Sequence, residues 1–216
     1  SAERFDPAMS NTPTTQGALQ HARTGQAATL LPSGDVVVLG GRDPSGQKIA
    51  TAEVYVVSQW YPAGGLSNAR GFHTGTMLSS GKVLVVGGAD NANAFLASAE
   101  LYDPATQGSV AAGMLTTARF GHSATLLPSG KVLVVAGKNA DFVAAIELYD
   151  PATNAWTAAG AVTNEPSPWR SATIIAPVFS TPIIPSSRPA ASHDGSTVIS
   201  SKTSSPPPAA EETMSR

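Results

Sequence analysis

Apolar residues in this chain gather in short runs, and no stretch repeats them at helical spacing. Val36-Val37-Val38-Leu39, Val83-Leu84-Val85-Val86 and Val132-Leu133-Val134-Val135 are continuously apolar. A sheet wet on one face alternates apolar and polar positions, so these strands are expected to be covered on both faces. The last of them follows the run Ala124-Thr125-Leu126-Leu127 across Pro128-Ser129-Gly130-Lys131. Pro early and Gly late suit a type I turn opening a tight hairpin. A third strand is predicted from Ala145 to Tyr149, ended by Asp150-Pro151. That Asp can bond its own downstream backbone, and Pro cannot continue a central strand. Ala155-Trp156-Thr157 starts a fourth, so the pattern predicts units of four short strands and an all-β fold.

The unit is repeated. Ser98-Ala99-Glu100-Leu101-Tyr102-Asp103-Pro104-Ala105-Thr106 returns as Ala145-Ile146-Glu147-Leu148-Tyr149-Asp150-Pro151-Ala152-Thr153, and a worn copy stands at Thr51-Ala52-Glu53-Val54-Tyr55. The step between copies is 47 residues, which marks an array of identical supersecondary units. Other columns keep the register. They are Arg23, Arg70, Arg119 and Arg170; the hairpin glycines Gly34, Gly81 and Gly130; the pairs Gly40-Gly41, Gly87-Gly88 and Ala136-Gly137; and Glu3, Glu53, Glu100 and Glu147. Successive glycines closing a buried strand predict positive φ or a close backbone approach.

These columns resemble the kelch repeat in its bacterial form: Ala-Arg, a Ser-Gly hairpin, Gly-Gly, Ala-Glu-Leu-Tyr-Asp-Pro, then Trp. The resemblance covers about 1–176. It implies a β-propeller of four-stranded antiparallel blades. About three full blades are expected (21–68, 69–117 and 118–168) with partial ones at 1–20 and 169–176. An open arc of a larger ring is the preferred assembly, and a closed four-bladed ring the alternative. The chain departs from the pattern where Val56-Val57 replaces Asp-Pro, where Gln26 and Thr173 replace the His of Arg-x-x-His, and at Ala136.

Composition narrows the partners. Net charge is −2 and charged residues are 13%, so no basic stripe is available for a phosphate backbone and nucleic acid is excluded as a partner. No apolar stretch approaches a membrane span. Sparse charge with much Gly, Ala, Ser and Thr resembles extracytoplasmic or cell-surface bacterial repeat proteins. Residues 177–216 carry seven prolines and long Ser/Thr stretches. Such a segment buries too little apolar surface to offset its ordering entropy, and a mostly disordered tail is expected there. His193 to Ile199 faintly echoes a hairpin and second strand.

Three groups of residues are candidates for chemistry. The loops between second and third strands repeat least and are the expected binding face. They contribute Arg42, Asp43 and Lys48; Asp90, Asn91, Asn93 and Phe95; and Lys138, Asn139 and Asp141, with Phe142 beside them. The arginine column is the second group. If each first strand lies nearest the axis, as the resemblance implies, Arg23, Arg70, Arg119 and Arg170 would ring a channel mouth and favour carboxylate or phosphate ligands. The preferred reading pairs each Arg with a Glu of the recurring column, holding blade to blade. The third group is His73 and His122, which share a column; framework roles are expected for them, and no metal.

Enzyme signatures fail. Gly71-Phe72-His73-Thr74-Gly75 has the frame of a nucleophile elbow but Thr for Ser. Gly130-Lys131 lacks the rest of a phosphate loop. Some kelch-type propellers are copper oxidases resembling galactose oxidase, and that chemistry needs a tyrosine cross-linked to cysteine; this chain has no cysteine. The expected function is therefore a non-catalytic module without cofactor, binding a protein or glycan through its loop face, with self-association through open blade edges. The alternatives are the non-catalytic portion of a larger secreted oxidase or glycan-active enzyme, and a structural surface repeat.

Overall fold

The structure is a computed structural model that describes residues 2–6, 10–163 and 173–174, with the backbone alone for 2–6, 10–16 and 173–174. Expectations placed on 177–216, on Arg170 and on His193 lie outside the described residues.

No described residue is helical, and the chain is all-β. A first hairpin pairs β1 (Ala2–Asp6) with β2 (Ser10–Gln16). Three antiparallel meanders follow. Blade I is β3 (Ala27–Leu30), β4 (Val36–Leu39), β5 (Thr51–Val56) and β6 (Gln59–Gly65). Blade II is β7 (Thr74–Met77), β8 (Val83–Val86), β9 (Ser98–Asp103) and β10 (Gly108–Met114). Blade III is β11 (Ser123–Leu126), β12 (Val132–Val135), β13 (Ala145–Asp150) and β14 (Ala155–Thr163). β15 (Thr173–Ile174), expected within the first strand of a further unit, pairs with the outer edge of β14 instead.

The first hairpin of each blade turns as its residues require. In blade I, Gly34 N–H donates to Leu31 O and Leu31 N–H to Asp35 O. Gly34, Gly81 and Gly130 all hold φ between 80° and 90° there, a conformation open to glycine. Where Asp-Pro closes a third strand, Asp103 and Asp150 accept from the N–H of Ala105 and Ala152, each at 2.9 Å. Lys82 and Lys131 reach the same two carboxylates, at 3.0 and 2.9 Å. Blade I has Asp35 in the lysine column and Val56 where the Asp stands, so it lacks both members of the pair.

The continuously apolar second strands are explained by stacking. Successive side chains of a strand point to opposite faces. Val83 and Val85 enter a core with Val37, Leu39, Ala52 and Ala63 of blade I. Leu84 and Val86 enter a second core with Val132, Val134 and Tyr149 of blade III. All four residues of β8 are fully buried, and each such side chain contributes about 1.5–3 kcal/mol relative to exposure. On β12 only Val132 and Val134 are buried, while Leu133 and Val135 on the opposite face are half-buried. The inner strands approach closely as well: a Cβ on Gly75 of β7 would come 3.0 Å from Ala27 Cβ on β3.

The outer strands are tied by ring donors. Tyr102 Oη donates to Ala63 O of blade I at 2.6 Å, and burial pushes its phenol up to about 12. One blade further, Trp156 Nε1 donates to Ala112 O at 2.8 Å, the carbonyl equivalent to that of Ala63. Blade II carries Ser109 in the Trp column, so its tyrosine takes the acceptor that the tryptophan takes in blade III.

Candidate functional site

The three described arginines of the column are buried in ion pairs rather than open to a ligand. Arg23, Arg70 and Arg119 have fully buried side chains, each ending on the Glu of its own blade: Arg23 Nη2 to Glu53 Oε1 at 2.5 Å, Arg70 Nη2 to Glu100 Oε1 at 2.6 Å, Arg119 Nη2 to Glu147 Oε1 at 2.5 Å. Nη1 of each spans two carbonyls. For Arg70 these are Gly87 O and Ser98 O, both at 3.0 Å; for Arg119 they are Ala136 O at 3.0 Å and Ala145 O at 2.7 Å. A planar fork of donors matches this set, and an ammonium would not. The Nη groups expected to attract an external anion are thus engaged from within, while Arg70 Nε stays buried without a partner. Arg170 lies outside the described residues.

The pairing with the Glu column is therefore present, but its geometry differs from the expected blade-to-blade link. Each ion pair lies within one blade. The glutamate's second task is to hold the connection arriving from the blade before. Glu100 accepts from Ser67 N–H at 2.6 Å and Asn68 N–H at 3.2 Å; Glu147 accepts from Thr116 N–H at 2.8 Å. Burial raises Glu53 and Glu100, yet backbone N–H donors and the facing arginine outweigh it and hold both carboxyls below their ordinary value; for Glu100 the Ser109 hydroxyl contributes first. The arginine backbone makes the link between blades: Gly41 N–H donates to Arg70 O at 2.8 Å, and Gly88 N–H to Arg119 O at 2.9 Å.

His73 and His122 are buried in the same seam, under the glycine pairs. His122 Nε2 shares a hydrogen bond with Thr74 Oγ1 of the preceding blade at 2.8 Å. The residue equivalent to Thr74 in blade I is Ala27, which offers His73 no hydroxyl. Burial first, then the charge of Arg70, lowers His73 to about 3, against an opposing contribution from the Leu39 backbone. Burial and Arg119 lower His122 to about 4. Both rings are neutral at ordinary pH.

The loop face is ordered by short ladders. Beyond each glycine pair the chain bridges back: Arg42 with Thr24 and Lys48, Ala89 with Gly71 and Phe95, Lys138 with Phe120 and Phe142. Several expected ligand residues are used in these turns. Asp43 accepts from Ser45 Oγ and Gln47 N–H, and the Ser45 hydroxyl leads in holding its carboxyl below the ordinary value. Asp90 accepts from Ala94 N–H at 2.8 Å, and Asn139 from Asp141 N–H at 3.0 Å. The structure brings together Lys48, Asn91 and Asn93. Lys48 N–H donates to Asn91 Oδ1 at 2.6 Å, Asn91 Nδ2 donates back to Lys48 O at 3.1 Å, and Lys48 Nζ donates to Asn93 Oδ1 at 2.5 Å. These bonds clip the loop of blade II onto that of blade I. Arg42 and Lys138 remain exposed, and Arg42 and Asp43 border an open recess with Ala22 and Thr24.

Phe95 has partners that sequence reasoning missed. Its ring stacks on Phe120 at 5.2 Å between centroids and 14° between planes. Phe72 meets Phe120 edge-on at 6.4 Å and 63°. Phe72 and Phe95 are 42% and 38% exposed, so a small aromatic surface stands open beside the clipped loops. A signal for it exists inside the Arg-x-x-His frame. Arg70-Gly71-Phe72-His73 and Arg119-Phe120-Gly121-His122 exchange the positions of Phe and Gly. Gly25, Phe72 and Gly121 occupy one column, and all three adopt φ of 60° to 64°. Phe72 thus holds a backbone conformation that its two equivalents fill with glycine.

No protein-family model matches the chain, and no curated protein does. Among solved structures that of YjhT, a kelch-like β-propeller protein, is similar, with a TM-score of 0.62 and 16% identity. The match covers 71% of this chain and 57% of that one, so the chain spans little more than half the length of the structure it resembles. A likeness at this identity concerns the fold. Together with the three stacked meanders, it makes the chain an all-β protein built of propeller-type blades.

Proposed function

We propose that the chain is a non-catalytic binding module that recognises a protein or glycan through its loop face. The observation that carries this reading is the contrast between the two faces of its chemistry. The buried ion pairs serve as framework: each described arginine of the column is held through its Nη groups by a glutamate and two carbonyls. The loop face instead presents exposed phenylalanines and polar side chains on loops that are bridged and clipped to one another. Rigid presentation of varied loops is what recognition requires, because less ordering entropy is lost on binding.

The test is to screen the full chain on protein and glycan arrays beside a loop-face variant carrying Arg42→Ala, Asp90→Ala and Lys138→Ala. Selective capture that the variant weakens supports the reading. Capture that the variant leaves unchanged, or none on either array, overturns it.

A further inference from the structure

The aromatic cluster points to the kind of group the loop face receives. Phe72 has φ of 60°, a region that bulky side chains rarely enter. Its equivalents Gly25 and Gly121 enter it without a side chain. Nothing in the blade-to-blade bonding requires a side chain there: Phe72 N–H donates to Gly25 O and Gly121 N–H to Phe72 O, both backbone contacts that glycine would preserve. The ring of Phe72 leans over Gly25, where a Cβ would stand 2.9 Å from Cε1. Strain held at a partly exposed ring, where glycine serves in both neighbouring blades, motivates a use for that ring in binding.

The shape and chemistry of the cluster select among ligands. Phe95 stacks on Phe120, and Phe72 stands at 63° to Phe120, so the rings form an angular surface rather than a flat platform. A sugar ring needs an open aromatic face with hydrogen-bonding groups at its rim. All three rings here are phenylalanines, without hydroxyl or indole N–H, and the nearby amide oxygens of Asn91 and Asn93 are taken by Lys48. An aliphatic or aromatic side chain suits such a surface, which offers ring faces and edges to pack against.

We propose that Phe72, Phe95 and Phe120 form an anchor site for a single apolar side chain of a protein partner, and that Phe72 is retained in its left-handed conformation to build one wall of it. The proposal rests on the binding reading above and specifies its partner class.

Ring resonances of the full-length chain would be followed by NMR during titration with N-acetyl-phenylalaninamide and, separately, with methyl β-glucopyranoside. Phe72→Gly is the diagnostic variant, because glycine already serves at both equivalent positions; Phe95→Ala is the second. The expected result is saturable shifts at the three phenylalanines with the amide, weakened about tenfold in both variants, while the melting midpoint of Phe72→Gly is held or raised. Saturation by the sugar alone would overturn the apolar-anchor proposal and leave the loop-face reading standing with a glycan partner. Equal binding of the amide by wild type and Phe72→Gly, or no saturable shift, would also overturn it. Failure of the loop-face reading shows separately, in the arrays.

Discussion

The carbonyl oxygen of Arg119 lies 2.5 Å from where Gly87 would carry a Cβ. The same approach joins Gly40 to Arg70 O, at 2.7 Å. Both glycines also hold positive φ, at 61° and 59°. Gly40→Val and Gly87→Val should therefore destabilise the fold by a few kcal/mol, about the upper range for point substitutions. Ala136 occupies the same column at φ of 58°, already with a Cβ. Ala136→Gly should be neutral or stabilising by up to about 1 kcal/mol. Urea denaturation of the three variants checks the contrast; equal midpoints for all would contradict it.

Arg119 and Glu147 form a buried pair whose members cannot be removed singly at low cost. Arg119→Met leaves the Glu147 carboxylate buried beside Thr116 N–H alone, and should cost about 3–5 kcal/mol. Arg119→Lys should also destabilise, because one ammonium cannot span Ala136 O, Ala145 O and Glu147 together. The double variant Arg119→Met, Glu147→Gln should recover part of the loss. A double-mutant cycle in denaturant measures the coupling, and simple additivity would refute this account.

The seam histidines make stability depend on acid. A histidine whose folded value is lowered stabilises the fold fully above its unfolded value of 6.5, and that contribution is lost as pH falls toward the folded value. For His122, lowered to about 4, the loss runs from about pH 6.5 down to about 4 and amounts to roughly 3 kcal/mol. His73, lowered to about 3, adds to it over the same interval and below. Glu53 and Glu100, held below 4.5, lose their contributions only in stronger acid. His122→Gln places in blade III the residue that blade I carries as Gln26, and should flatten the profile between pH 6.5 and 4. Melting midpoints across that range are the measurement; an unchanged slope in the variant would count against the assignment.

Val57 and Ser58 form the tip between β5 and β6 with φ of 43° and 72°. A two-residue hairpin with both φ positive favours Asn-Gly, and a β-branched residue is strained there. Val57→Asn with Ser58→Gly should raise stability by about 1 kcal/mol and lift the melting midpoint. A lowered midpoint would show that Val57, 89% exposed, is held by something other than the turn.

Much of this fold was legible in the amino-acid sequence because its cues are local and repeated. Continuous apolar runs such as Val83 to Val86 report two covered faces without any knowledge of what covers them. Hairpin glycines and Asp-Pro pairs carry their own backbone chemistry, and the recurrence of Arg with Glu in step announced a pairing. What the pairing does was decided only in three dimensions. Arg70 reaches Glu100 within one blade, and the link to blade I runs through its backbone carbonyl, because sequence columns record which residues recur and not which atoms face each other. The loop residues were found as a set, yet their roles separated on folding: Asp43, Asp90 and Asn139 are used in their own turns, while Lys48, Asn91 and Asn93 clip two loops together. Phe72 and Phe120 belong to no repeated apolar column. Phe120 of blade III meets Phe72 and Phe95 of blade II because stacking brings the start of its first strand beside them, a proximity that no spacing along the chain encodes.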